Sequence, residues 1–191
     1  LQSLEKSLLD SVRLQSIADV PLGAFLSGGI DSSLIVALMQ SISNVKINTF
    51  SIGFKEDAYN EAGYAKEVAK HLNTNHKELY LSHEDALALV PLLPKMYDEP
   101  FADSSQIPTH LISLMAKEHV TVVLSGDAGD ELFGGYNRHV QAPRLWKIIS
   151  CIPKGVRSFI SFSILSISPK LLNQFGNYLP KGLKVIFLGD K

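Results

Sequence analysis

Cysteine is almost missing from this chain: Cys151 is the only one in 191 residues. That excludes an internal disulfide framework and suits a reducing compartment, so the expected location is cytoplasmic. An excess of charge of either sign is missing too. With 18 Lys and Arg against 19 Asp and Glu, the net charge is −1. No electrostatic footprint for nucleic acid or an acidic membrane surface is present. Long apolar runs are absent; the most apolar late stretch, Phe159 to Ile167, is interrupted by serines and too short to cross a bilayer. There is no initiator methionine or signal peptide, so a chain opening Leu1-Gln2-Ser3 reads as an excised piece of something longer. The six histidines show no metal-ligand spacing, which argues against a zinc site. No internal repeat or low-complexity tract stands out.

What is present is ordinary core-forming material, 46% hydrophobic and 19% charged, enough for one domain. Leu1, Leu4, Leu8, Val12 and Ile17 give Leu1 to Ala18 a helical stripe. Val20 to Leu26 reads as a buried strand, and Leu34 to Met39 as a helix opened by Ser32 and Ser33. Ile47 to Phe54 predicts a second strand ended by Gly53, and Asn60 to Leu72 a helix stopped by Asn73. Glu78 to Leu81 predicts a short third strand. Ser82 with Asp85 is a capping-box variant opening a helix that Pro91 and Pro94 bend or break. Ile107 to His119 reads as a helix, and Val120 to Leu124 as a strand buried on both faces. Strands alternating with helices imply an α/β fold: a doubly wound parallel sheet with helices on both faces. Ligands on such sheets sit at the carboxyl ends of the strands.

The unusual residues fall at those ends. Ser27-Gly28-Gly29-Ile30-Asp31-Ser32-Ser33 joins the first strand to its helix. Adjacent glycines let backbone approach an anion, and a helix N-terminus presents free N–H groups and partial positive charge. Gly23 and Gly28 have the glycine spacing of the common nucleotide P-loop, but Gly29-Ile30 stand where that motif needs Lys-Ser/Thr. Asp31 stands close by instead. Beside a polyphosphate it is most simply a Mg²⁺ ligand. The last strand runs into Ser125-Gly126-Asp127-Ala128-Gly129-Asp130-Glu131, whose three acids would repel one another without a cation. An ordinary capped helix start accounts for one of these acids but not all three.

Ser-Gly-Gly-Ile-Asp-Ser-Ser resembles the pyrophosphate loop of the ATP-pyrophosphatase enzymes. Together with Phe50-Ser51-Ile52-Gly53-Phe54 and Leu124 to Tyr136, it resembles the synthetase domain of glutamine-hydrolysing asparagine synthetases, from about Leu14 to about Arg144. The resemblance implies an adenine nucleotide alpha hydrolase-like fold over residues 1–144, with 145–191 a truncated helical C-terminal extension of the same domain. It implies ATP and Mg²⁺ as cofactors. Leu26 and Ile52 would contact the adenine through backbone, and Ser125 and Gly126 would line the adenosine. Ser27, Gly28, Gly29, Asp31, Ser32 and Ser33 would cradle the pyrophosphate, and Asp31 and Asp130 would hold Mg²⁺. Asp127 matches the position of a carboxylate, often Glu in the family, implicated in forming the acyl-adenylate. Ala128 replaces a Gly or Ser often seen there.

The implied reaction adenylates a carboxylate, aspartate first among candidates, releases pyrophosphate and lets ammonia form the amide. In the whole enzymes a glutaminase domain, absent from this stretch, supplies the ammonia. The family also carries a distal lysine that cannot be assigned here; without it the fragment would bind ATP but not complete the reaction. The resemblance points to no nucleic-acid or membrane partner and allows a homodimer of the full-length protein. Two other readings stay open: the same chemistry on a sugar acid or β-lactam precursor, and a nucleotide-binding module without catalysis. Asp98-Glu99-Pro100 and Asp103-Ser104-Ser105 are open to substrate contact or plain turn chemistry, and Tyr136, Asn137 and Arg138 to an acyl acceptor or plain packing. Cys151, among apolar neighbours, reads as core. The stretch from Trp146 to Phe175 suggests short helices.

Overall fold

The computed structural model describes residues 1–54, 61–99 and 102–166. Four strands pair in parallel in the order β3-β2-β1-β4. They are β1 (Leu22–Phe25), β2 (Asn48–Phe54), β3 (Asn75–Leu81) and β4 (Val122–Leu124). The helices between them are α1 (Gln2–Gln15), α2 (Ile30–Ile42), α3 (Ala62–Leu72), α4 (His83–Leu89), α5 (Leu93–Met96) and α6 (Gln106–Lys117). A short α7 (Gly129–Phe133) comes after β4. This is the doubly wound α/β sheet that the alternation of elements predicts.

Side chains alternate across the sheet, and the alternation sorts them into two cores. On one face Ala24 and Leu26 of the first strand segment pack with Val36, Leu38 and Met39 of α2, Ala65 and Ala69 of α3, and Val12 of α1. On the other, Phe50 meets Ile112 and Ala116 of α6 and Val120, with Phe25, Ile52 and Val123 against them. Phe50 is fully buried, and truncating such a side chain costs about 3–5 kcal/mol.

The first face changes character along the sheet. Over β1 it is apolar; over β2 and β3 it is not. The β2–β3 register pairs Thr49 with His76, Ser51 with Glu78 and Gly53 with Tyr80, and all six project toward α3. Thr49 and Ser51 are buried there. The Thr49 hydroxyl lies 2.8 Å from that of Thr74 and 2.9 Å from His76 Nδ1, and Ser51 Oγ lies 3.2 Å from His76 Nε2. Glu78 Oε1 stands 3.8 Å from His76 Nε2 and 3.3 Å from Lys66 Nζ of α3, and the Tyr80 hydroxyl donates to Glu78 Oε2 at 2.8 Å.

Those contacts set the ionisation. Burial disfavours the imidazolium of His76 and, with Lys66, outweighs the Glu78 carboxylate, so its pKa lies below the ordinary value. Burial pushes the Glu78 carboxyl up, but Tyr80, Lys66 and His76 together bring it below the usual range. The Glu78 carboxylate, holding the Tyr80 proton, raises that phenol.

Helix ends obey local chemistry. Asn73 closes α3 in the left-handed region, φ 56°, a conformation Asn tolerates. Ser82 and Asp85 form the full capping box at α4. Pro91 and Pro94 break the segment after α4 into a 3₁₀ turn, Val90–Leu92, and then α5.

Several expectations need correction. α2 begins at Ile30 with Gly29 at its N-cap, and neither Ser32 nor Ser33 caps it; both sit inside the first turn. β3 is longer than Glu78–Leu81, because β2 offers a partner along seven residues. β4 is not buried on both faces: among the described residues it lies at the sheet's edge, paired with β1 alone, and Val122 is 40% exposed. In α1 only the second half is packed, since Leu8, Leu9 and Val12 reach α2 while Leu1, Leu4 and Ile17 are exposed.

The chain divides into two compact units, Leu1–Phe133 and Gly134–Lys191. In the second, α8 (Asn137–Ser150) contains Pro143 and buries none of its residues, and α9 is Lys154–Ser166. The Arg157 guanidinium stands 5.3 Å over the Trp146 ring. Cys151 is exposed and not core: it ends α8, where its thiol donates to the Lys147 carbonyl. No helix among the described residues is long and apolar enough to cross a membrane. Asn60, Pro100, Phe101 and the stretch from Ile167 onward lie outside the described residues.

Candidate active site

The strand order sets the location. From β1 the chain steps to β2 and β3 on one side, then returns to place β4 on the other, so the order reverses between β1 and β4. In open parallel sheets the crevice at such a reversal, outside the carboxyl ends, is where ligands bind. The two segments leaving those strand ends are Leu26–Ser33 and Ser125–Glu131, the two motifs that stood out in the sequence.

They touch. A methyl group placed on Gly126 would lie 2.6 Å from the Ser32 nitrogen and 2.9 Å from the Asp31 carbonyl carbon. One placed on Gly129 would lie 2.7 Å from Asp31 Oδ2. The absence of side chains at both glycines lets the turn after β4 rest on the first turn of α2 and on the Asp31 carboxylate. Asp130 is the next residue after Gly129, which brings it to the same corner.

The glycine loop holds itself open with its own hydroxyls. Gly28 has φ +84°, and a methyl there would lie 2.6 Å from the Ala65 nitrogen and 2.8 Å from the Tyr64 carbonyl carbon of α3. Only glycine satisfies both demands. Ser27 and Ser32 hydroxyls lie 2.9 Å apart; Ser32 Oγ accepts from the Ser27 N–H, and Ser27 Oγ from the Gly29 N–H. Ser33 Oγ is buried and has no hydrogen-bond partner, the one such side-chain atom among the described residues. A buried hydroxyl without a partner is costly, and a ligand oxygen would satisfy it.

The turn after β4 is built differently. Ala128 has φ +72°, in the left-handed region that a residue with a Cβ rarely adopts. Asp127 is exposed, and its carboxylate accepts from the Ser125 hydroxyl at 2.9 Å while Ser125 Oγ accepts from the Asp127 N–H at 3.3 Å. Among the described residues no three His, Cys, Asp or Glu side chains gather to hold a metal ion by themselves. Asp31 and Asp130 offer two hard carboxylates. A Mg²⁺ held by one or two carboxylates and completed by phosphates and water fits that donor set.

The β2 edge contributes backbone. Pairing between β1 and β2 ends with the Leu26 N–H donating to the Phe50 carbonyl at 2.8 Å. Backbone direction alternates along a strand, so Ile52 turns its N–H and C=O the way Phe50 does, past the last β1–β2 bond. Leu26 itself is buried in the core over β1.

Other signals resolve into local roles. Asp103 Oδ1 accepts from the Ser105 N–H at 2.8 Å, turn chemistry at the start of α6, and that contact with the Ser105 hydroxyl lowers the Asp103 pKa. Asp98 and Glu99 are exposed. In the second unit Arg138 lies 4.2 Å over the Tyr136 ring, and Tyr136 meets His139 edge-on. Two contributors escape a sequence reading. Tyr64 and Ala65 form the wall behind Gly28 through their backbone, which no residue type announces. The polar face of β2 and β3 does leave a trace, since Thr49, Ser51, His76, Glu78 and Tyr80 recur at every second position.

Comparison with known proteins shows what the chain is similar to. A family model described as asparagine synthase matches residues 3–183. The Methanocaldococcus jannaschii protein named "Putative asparagine synthetase (glutamine-hydrolyzing) 2" is 46% identical over 154 residues, 80% of this chain and 30% of that protein. Asparagine synthetase (glutamine-hydrolyzing) 1 of Bacillus subtilis is 38% identical over 160 residues, 84% of this chain and 25% of that protein. The chain thus spans less than a third of the length of these curated relatives. Among solved structures, an NH3-dependent NAD synthetase from Campylobacter jejuni superposes with a TM-score of 0.50 at 17% identity, covering 71% of this chain and 60% of that one. At that identity the likeness concerns the fold alone.

Proposed function

The chain belongs to the asparagine synthase family, and from that membership we infer that it is the ATP-using part of a larger amide-forming synthetase. The observation that carries this reading is the contact of Gly126 and Gly129 with Ser32 and Asp31 at the sheet's reversal point. It supports an anion cradle lying against the acidic turn that carries Asp130, as splitting ATP between its α- and β-phosphates requires. Binding alone needs no second acidic turn.

The roles derive from position. The N–H groups of Gly28 and Gly29 and the start of α2 receive the pyrophosphate, with the hydroxyls of Ser27, Ser32 and the otherwise partnerless Ser33. Backbone groups of Leu26 and Ile52 take the adenine edge, and Ser125 and Gly126 line the adenosine. Asp31 and Asp130 would hold Mg²⁺, which would supply charge neutralisation for the phosphates and the departing pyrophosphate. An oxygen of the substrate carboxylate attacks the α-phosphorus, the bond from that phosphorus to the bridging oxygen breaks, and pyrophosphate leaves. Ammonia then attacks the acyl carbon, and AMP departs with the bonding pair. Asp127, exposed in the turn after β4 and accepting from the Ser125 hydroxyl, is the carboxylate that acts in forming the acyl-adenylate in this reading. The carboxylate is aspartate in this reading, the ammonia comes from glutamine through another part of the full-length protein, and the setting is cytoplasmic.

The deciding measurement is pyrophosphate release by the full-length protein with Mg·ATP and glutamine, comparing aspartate with a panel of other carboxylic acids. Release that requires aspartate and yields asparagine is the expected result. Release only with a sugar acid or a β-lactam precursor keeps the chemistry and replaces the substrate. ATP binding with no release for any acid overturns the catalytic reading.

A further inference from the structure

Six side-chain positions of β2 and β3 face α3, and none of them is aliphatic. Thr49, Ser51 and Gly53 stand beside His76, Glu78 and Tyr80. Burying polar groups where Val or Leu would serve gives up stability unless each finds a partner. Here the partners form two sets, the first a chain. Thr74 donates to the Ala69 carbonyl at 3.5 Å; Thr49 then donates to Thr74, His76 Nδ1–H to Thr49, and Ser51 to His76 Nε2. That assignment satisfies every atom with a neutral ring. Glu78 lies beside this chain, 3.8 Å from His76 Nε2 without a hydrogen bond to it, and forms a second set with Lys66 on α3 and with Tyr80, whose ring edge lies 2.8 Å from where a methyl on Gly53 would stand.

Apolar contacts tolerate sliding, whereas hydrogen bonds fix direction and register. The two sets are anchored on α3 at different places, one on Lys66 and the other on the Ala69 carbonyl nearer the helix end. The helix turn that carries Lys66 is also the one whose Tyr64 and Ala65 backbone supports Gly28. Gly28 packs so closely on that turn that a methyl on it would lie 2.6–2.8 Å from the Tyr64 and Ala65 backbone, so a shift of α3 is felt at the loop.

We propose that these two adjoining polar sets, Thr74–Thr49–His76–Ser51 and Lys66–Glu78–Tyr80, are together a positioning device for the glycine loop: it fixes α3 on the sheet, and α3 fixes the loop that receives the phosphates. Glu78 and His76 are its positioning residues; neither touches the ligand. The assignment of phosphates to that loop rests on the function proposed above, but the mechanical link does not.

The test uses the full-length protein with Glu78→Leu, which keeps bulk and removes the bonds, and Glu78→Gln, which keeps an acceptor for Tyr80. Hydrogen exchange of the backbone amides in 27–33 reads loop order without any nucleotide, and calorimetric titration with Mg·ATP reads binding. Glu78→Leu is expected to stay folded, exchange those amides several-fold faster than other α2 amides change, and bind Mg·ATP about five- to twentyfold more weakly. Glu78→Gln should recover most of both. A folded Glu78→Leu protein with unchanged exchange and unchanged affinity overturns the proposal; if that variant does not fold, His76→Gln is judged by the same two readings. Absence of Mg·ATP binding by the unaltered protein would count against the proposed function, while exchange in 27–33 would still decide the mechanical link.

Discussion

The two loops that meet at the sheet's reversal point use one backbone device for opposite ends. Each leaves a parallel strand and turns through a single left-handed residue, Gly28 at φ +84° and Ala128 at φ +72°. Each steadies itself with a serine that accepts a backbone N–H, from Gly29 to Ser27 and from Asp127 to Ser125. The difference is what surrounds the left-handed residue. Gly28 is wedged against the backbone of α3, so space and conformation both demand glycine. Ala128 is exposed, so only conformation is at issue and a methyl is accommodated at the cost of strain. The first loop is a rigid cradle of N–H and hydroxyl groups; the second is an acidic turn laid onto it.

The sharpest way to break that contrast is Gly28→Ala. A left-handed alanine costs about 1–2 kcal/mol, and forcing a methyl into backbone at 2.6–2.8 Å adds an overpacking cost of about 1–3 kcal/mol. We expect a total loss of about 2–5 kcal/mol, read as a shifted midpoint in chemical denaturation, and Mg·ATP binding lost with it. Gly63→Ala is the control on the neighbouring turn of α3. A methyl there meets nothing within 4 Å, so helix propensity alone should stabilise by about 0.5–1 kcal/mol. If both variants behave alike, α3 is not the wall we describe.

The smaller contrast is between charge and shape. Asp31→Asn and Asp130→Asn keep the fit of one loop on the other but remove the carboxylates. Each should weaken Mg·ATP binding by more than about tenfold, roughly 1.4 kcal/mol, while AMP binding changes little. Calorimetric titration with each nucleotide separates the cases. Equal losses for ATP and AMP would mean these acids shape the pocket and do not hold a metal.

How far the sequence reveals this contrast depends on the range of the interaction. Gly28, Gly29 and Ser125 to Glu131 stand out because strand, turn and helix start are local events written in consecutive residues. The capping box at Ser82 and the stop at Asn73 are legible for the same reason. What the sequence hides is tertiary. Val120 to Leu124 is β-branched and apolar enough for a central strand, but its place at the edge is set by the strand order, which no residue in it encodes. Cys151 sits among apolar neighbours in sequence, yet α8 buries none of its residues, so local composition misleads. His76 carries no signal by itself. Its role emerges only when the β2–β3 register sets it between Thr49 and Ser51.

The subtlest difference between the loops is Ala128 itself. If φ +72° is held there against the preference of alanine, glycine should relieve it. The gain is the left-handed penalty of about 1–2 kcal/mol, less the extra freedom glycine brings to the unfolded chain, about 0.4–1 kcal/mol. Ala128 is exposed, so little packing is lost with the methyl. Ala128→Gly should therefore stabilise the protein by up to about 1.6 kcal/mol, as a higher denaturation midpoint at unchanged slope. Mg·ATP affinity should stay the same or rise slightly, because Gly126 and Gly129 still seat the turn on Ser32 and Asp31. A destabilised Ala128→Gly protein would show that the methyl contributes more by restricting the unfolded chain than it costs in the turn, and the two loops would then differ in kind as well as in crowding.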